Sequence, residues 1–496
     1  MLPSNHYLIN RCGLCGRDVD GSQMSTKKSE PATQDSLVHP QVATFFRLAY
    51  KNHSQWSALG SAFFVLVSGG MSLAWGAGFA IHSSHREYLL LTFHMQVAWY
   101  ATATLGALFG AFFTHRLPQQ PIYILCSCLV IASGILFLAW PESPGAVIAG
   151  RYLDGLANGL VFVPALSTAG EIAVGGVRGL LAATVEQLSS NTGILMQLLY
   201  TAVWQVEWNV AIVADQVHGV LSIIYGVVAL AMALALCVES PVHLLTRANE
   251  QKAVVALRHL QRPYMVTSET LLRLDEHKLY VSTYREMGWW SSLQKGLPSL
   301  VKVLAHRLLG SMCLNLVIWS ALYETASEVM SYFQAWPYVV FGVLRWCGCF
   351  CVAPLMDTTG RKSPTLFGTF SLGIFAFAFA FLVARTPHMI AALVVLFLLQ
   401  FFAGVGQCSS AVYLTEAFPL SLKPHLVAAS YVLEQLTRLG LCSFSPLESD
   451  IIAYFYVLGG LSMVFFLLGI FCLPETKVIP LAEAQQKFSK WFNKDF

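Results

Sequence analysis

PTLFGTFSLGIFAFAFAFLVA, residues 364–384, contains no Asp, Glu, Lys or Arg. A helix of about 20 such residues spans the hydrocarbon core of a bilayer. A second uncharged run extends from Ile451 to Pro474. With these two as a gauge, ten further mostly apolar stretches come into view. The twelve spans fall near 57–81, 91–113, 121–140, 145–166, 180–204 and 217–238, then 308–333, 337–355, 364–384, 389–412, 425–445 and 451–473. Composition agrees. Of 496 residues, 56% are hydrophobic and only 11% charged, where a soluble chain carries about 25% charged. So few charges cannot coat a soluble protein of this length. The surface is expected to face lipid. A net charge of +3 with no basic stripe excludes a nucleic-acid partner.

The spans form two sets of six. The expected organisation is a polar tail (1–55), a first six-helix bundle (56–245), an intracellular helical linker (246–307), a second bundle (308–474) and a short tail (475–496). Placing both termini in the cytoplasm puts every Lys and Arg on that side except Arg86, Arg385, Arg345 and Arg438. That asymmetry matches the positive-inside rule. The expected location is the plasma membrane, as a multi-pass protein.

Of the twelve cysteines, only Cys12 and Cys15 lie outside apolar stretches. They form a lone CxxC, and a zinc site needs a second ligand pair. Thiols within the spans behave as small hydrophobes. No constellation of nucleophile, base and oxyanion donor is visible, so no enzyme and no cofactor are expected. The sequon Asn52-His53-Ser54 falls on the expected cytoplasmic side and is expected to be unused.

Short polar motifs punctuate the helix ends. They are Gly150-Arg151, Glu171 with Arg178-Gly179, Glu239-Ser240-Pro241, Asp357-Thr358-Thr359-Gly360-Arg361-Lys362, Glu416-Ala417-Phe418-Pro419 followed by Lys423, and Pro474-Glu475-Thr476-Lys477. In this order and spacing they resemble the sugar porter family of the major facilitator superfamily, over about residues 56–480. Trp75-Gly76 resembles the GW of insect trehalose and hexose facilitators. The resemblance implies an all-α membrane fold of twelve helices in two six-helix bundles, working by alternating access around a site near the midplane. It also implies a cytoplasmic gate of ion pairs. The candidates are Arg151, Glu171, Arg178, Glu239, Asp357, Arg361, Glu416 and Lys423. Asp154 is expected near the cytoplasmic helix end.

Sugar porters typically line their site with neutral amides, which offer both donors and acceptors to hydroxyls. Here the fifth-helix Gln matches Gln187, or Glu186 if counted without a gap from Arg178. Asn191 lies one turn further on the same face. The seventh helix has Ser320-Ala321-Leu322-Tyr323-Glu324 in place of Gln-Gln. The eighth-helix Asn falls on Arg345, and the two eleventh-helix Asn fall on Glu434 and Arg438. Charged groups inside a membrane are costly and face a cavity or a partner. The expected pathway set is Gln187, Asn191, Glu324, Glu328, Arg345, Glu434 and Arg438. Glu434 and Arg438 share one face at i,i+4, and Arg345 awaits Glu324 or Glu328. Two readings stay open: a site for a charged solute or a proton, and a closed structural ion-pair network. The expected function is transport of a small polar solute, a sugar first. The alternatives are a charged organic solute and a non-transporting sensor or scaffold.

Overall fold

The computed structural model describes residues 47–82, 89–204, 213–285, 287–330, 336–385, 389–442 and 448–492. Cys12 and Cys15 lie outside the described residues. Among the described residues, twelve helical rods run antiparallel in chain order. The first six are α1 (His53–His82), α2 (Leu89–Thr114), α3 (Gln119–Ala139), α4 (Pro144–Ile172), α5 (Arg178–Ala183, a π turn at Thr184–Leu188, then Ser189–Trp204) and α6 (Ala214–Ala235). The second six are α7 (Trp289–Met312, then Leu316–Val329), α8 (Trp336–Val352), α9 (Lys362–Arg385), α10 (Met389–Gln407 and Ser409–Glu416), α11 (Lys423–Cys442) and α12 (Glu448–Cys472). Between the sets lie three linker helices, Pro241–Thr246, Glu250–His259 and Ser268–Arg285. They mark one end of the bundle, here called the linker face.

Ten of the described helices are long and apolar enough to cross a membrane. The other two are α5, interrupted by its π turn, and α11, which carries Lys423, Glu434 and Arg438. The surface is inverted relative to a soluble protein. On α2, Leu105, Leu108, Phe109 and Phe112 are each about half exposed, while Gln96 and Trp99 are buried. Apolar side chains point to lipid and polar ones into the bundle.

Local chemistry sets the helix boundaries. Pro144 opens α4 where its missing N–H costs nothing. α7 begins at Trp289, well before the expected 308, and runs on through Pro298, which lies inside the helix. It breaks later, at Cys313–Asn315. Asn315 adopts an extended backbone (φ −158°, ψ −177°), and its side-chain oxygen accepts from Val317 N and Ile318 N, restarting the helix as an N-cap. Its amide also donates to Tyr454 Oη of α12 at 2.7 Å, which fixes the break in place. Arg307, expected at the end of the linker, therefore lies inside a transmembrane helix.

α2 and α4 pack backbone to backbone. A Cβ added to Gly159 would sit 2.0 Å from Ala103 O and 2.7 Å from Ala107 N. Glycine is what permits that approach. Gly440 on α11 has nothing within 4 Å of such a Cβ. Gly159→Ala is expected to lower stability by about 1–3 kcal/mol. Gly440→Ala is expected to be neutral or slightly stabilising. Thermal unfolding of the two variants in detergent checks the pair.

Candidate functional site

Four elements bring ionised side chains together where the two six-helix sets meet. The π turn of α5 carries Glu186 and Gln187. Such turns insert one extra residue per turn and often mark functional positions, and this one presents both side chains inward. α7 contributes Arg307, α8 Arg345, and α11 Glu434 and Arg438.

Arg307 is the hub. Its Nη1 lies 2.8 Å from Glu186 Oε1. Its Nε donates to Glu434 Oε2 at 2.7 Å, and Nη2 pairs with the same carboxylate. Arg438 Nη2 holds the other oxygen of Glu434 at 2.8 Å. The ring of Phe162, from α4, lies 5.3 Å from the Arg307 guanidinium carbon. All four charged side chains are over nine-tenths buried. The chain Glu186–Arg307–Glu434–Arg438 thus crosses from the first helix set to the second. Charge-assisted bonds of this kind are the strong ones, and burial makes their completeness matter.

Arg345 is held differently. Its Nε donates to Asn191 Oδ1 and its Nη1 to Gln400 Oε1, each at 3.0 Å. Both partners are neutral amides. The expected glutamate partners do not border this cavity: Glu324 is half-buried and Glu328 exposed on the second segment of α7. The break at 313–315 redirects that segment, so counting along an unbroken helix misplaces them. Gln187 Nε2 donates to Glu186 Oε1 and to Ser410 Oγ, each at 3.0 Å, again linking the two sets.

Glu186, Gln187, Asn191, Arg307, Arg345, Glu434 and Arg438 line one cavity of about 50 Å³. Four polar side-chain atoms at this cavity lack a protein partner: Asn158 Oδ1, Glu186 Oε2, Gln435 Oε1 and Arg438 Nε. A smaller space of about 10 Å³, bordered by Arg151, Tyr100, Leu316 and Trp319, continues away from the linker face.

At the linker face a second network joins the helix sets. Asp357 Oδ1 and Oδ2 accept from Gly179 N (2.9 Å) and Leu180 N (2.8 Å), the first turn of α5. A carboxylate there answers the positive end of the helix dipole. Arg361 Nη2 spans Asp357 Oδ1 and Glu416 Oε1, both at 3.1 Å. Arg178 Nη1 approaches Glu416 at 3.5 Å and donates to Ile479 O at 3.1 Å. Lys423 Nζ lies 3.3 Å from Glu171 Oε1, whose other oxygen accepts from Ser240 Oγ. Glu475 caps the start of α9 by accepting from Arg361 N and Lys362 N. Glu239 stands aside: its ion-pair partner is His243, 3.3 Å away in the same segment.

Arg151 does not belong to this group. It sits near the far end of α4, about 30 Å along the helix from Glu171 at 1.5 Å per residue. There its Nε donates to Met95 O at 2.6 Å and its Nη1 to Ser72 O at 3.2 Å, with the Trp75 ring 4.4 Å from the guanidinium carbon. Asp154 shares that half of the helix and accepts from Ser68, Ser72 and Trp99. Its expected place near the linker end is corrected by the direction of α4, which enters from the opposite face. Arg307 was missed because a charged residue looked like the limit of a span. Pro298, in the stretch before it, hid the helix that runs on to Met312.

Comparison with known proteins identifies the family. The family model "Sugar (and other) transporter" matches residues 50–488. The chain is 27% identical over 272 residues to the Mus musculus solute carrier family 2, facilitated glucose transporter member 8, covering 53% of each. It thus spans about half the length of that relative. It is 24% identical over 415 residues to the galactose-proton symporter of Escherichia coli K12, covering 78% of this chain and 84% of that one. Among solved structures, the proton:xylose symporter XylE bound to 6-bromo-6-deoxy-D-glucose matches with a TM-score of 0.71 at 18% identity, over 86% of this chain and 98% of that one. Inward-open XylE from E. coli matches at 0.60. The fold is that of the major facilitator superfamily.

Two expectations follow. Glu434→Gln leaves Arg307 and Arg438 short of a counter-charge, and should cost about 3–5 kcal/mol in chemical unfolding. Asp357→Asn weakens the cap on α5. Exchange of the Gly179 and Leu180 amides, read by hydrogen–deuterium mass spectrometry, should then speed roughly tenfold or more. Unchanged protection contradicts the capping role.

Proposed function

Because the chain belongs to the Sugar (and other) transporter family, the sugar porters of the major facilitator superfamily, we propose that it carries a small hydroxylated solute across a membrane by alternating access. Sugars are the first candidates. One observation carries the reading: the two helix sets meet at two separate levels. The first level is the Glu186–Arg307 pair beside the central cavity. The second is the linker-face group of Asp357, Glu416 and Lys423 against α5 and Glu171. Bonds that join two moving bodies cost little to the fold of either and bias the choice between their arrangements. In the arrangement described, the linker-face bonds are made, so that face is shut. Opening it requires Asp357 to release α5, and Lys423 to release Glu171.

The chemistry asked of the protein is binding and release. No bond in the solute changes, and the chain acts as a carrier rather than an enzyme. Polar groups from both helix sets border the cavity, so a bound solute would touch both and couple its occupancy to their movement. The Lys and Arg bias of the sequence supports a cytoplasmic linker face with both termini on that side. The plasma membrane is the proposed location.

Purified protein in liposomes, offered a panel of radiolabelled neutral sugars and sugar acids, is expected to take up at least one above protein-free vesicles. A panel in which nothing crosses, while one solute still raises the melting temperature, would replace the carrier reading with a sensor.

A further inference from the structure

We infer that the central cavity is built for a hydroxylated monoanion, a solute of the sugar-acid class, with Arg345 anchoring its carboxylate. This rests on the carrier reading above and narrows its substrate.

The first argument is charge. Among the described residues lining the cavity, Arg307, Arg345 and Arg438 stand against Glu186 and Glu434. Three cations against two anions leave one positive charge. The two glutamates are already engaged by Arg307 and Arg438. Arg345 touches only amide oxygens of Asn191 and Gln400. Amide dipoles solvate a guanidinium without neutralising it. A buried cation with no counter-charge is expensive, and one negative charge from the solute removes that expense.

The second argument is hydrogen-bond valence. Glu186 Oε2 and Asn158 Oδ1 are buried acceptors without a protein partner. The orientation of Asn158 is set by its Nδ2, which donates to Asp154 O at 2.9 Å, so the unpartnered atom is its oxygen. Unpartnered buried acceptors call for donors. A bare anion such as chloride, or a simple carboxylate, supplies none. A carboxylate with hydroxyl groups supplies the charge for Arg345 and the O–H donors for Glu186 and Asn158. A neutral sugar supplies only the donors.

The third is position. Arg345 bonds Asn191 of the first helix set from the second. A carboxylate arriving at Arg345 competes with that bond, so anion binding reaches the contact between the two moving bodies directly.

The test is uptake of labelled glucuronate and of labelled glucose by the full chain in liposomes, with the membrane potential clamped. Glucuronate is expected to enter faster than glucose, and unlabelled galacturonate to compete. Arg345→Gln is expected to cut glucuronate uptake at least about tenfold, the loss of roughly one strong interaction. Arg345→Lys should retain more than Arg345→Gln. Should Arg345→Gln fail to fold, the wild-type protein decides: glucuronate must raise its melting temperature more than glucose does. Glucose uptake without glucuronate uptake overturns the inference and leaves the carrier reading standing. So does a folded Arg345→Gln protein that moves glucuronate at the wild-type rate. If neither solute nor any other of the panel crosses, the carrier reading itself falls.

Discussion

An ionised group inside a membrane protein must be answered by another. Arg307 shows what that constraint builds. One guanidinium holds Glu186 of the first helix set and Glu434 of the second, and Glu434 is shared with Arg438. Removing any one member strands a charge, at a cost of about 3–5 kcal/mol. The network therefore welds α7 to α11 within one half, and through Glu186 it ties that half to the other. The fold tolerates breaking only the Glu186 link, and only if something else meets the charges set free. A solute with polar groups, or water admitted with it, meets that condition.

The linker face uses the same physics with weaker, partly backbone partners. Asp357 grips the start of α5 through two N–H groups rather than a side-chain cation, and Glu416 gathers Arg361 and Arg178. Spreading the closure over helix-dipole contacts and long ion pairs keeps each contribution small. Closure and release then lie within reach of solute-binding energies. The division of labour is clear in the geometry: short ion pairs around Arg307 at the centre, longer ones at the gate.

Much of this was legible in the sequence. Apolar runs of bilayer length identify spans whatever their packing, and the helix-end motifs carry the family pattern. Placing Arg345, Glu434 and Arg438 at the cavity needed only a count along unbroken helices. Most of the failures come from broken or misdirected ones. Arg307 was read as linker because a charge looked like the end of a span. Glu324 and Glu328 were brought to Arg345 by extending α7 straight through the break that Asn315 makes. The choice between Glu186 and Gln187 had no single answer, since a π turn turns both inward. Arg151 and Asp154 were assigned to the wrong face because α4 enters from the face opposite the linker. These are facts of backbone direction, and a single sequence records them faintly.

The central claim is that two rigid helix sets exchange one closed face for the other around the Glu186–Arg307 contact. Spin labels test it most directly, one pair at Leu117 and Leu355 on the linker face, another at Trp140 and Ile390 on the opposite face. All four positions are exposed. Distances are measured by double electron–electron resonance in nanodiscs, with and without a transported solute. The account predicts opposite movements, the linker-face pair lengthening as the other shortens. Distances that stay fixed in both pairs, or that lengthen together, would contradict it.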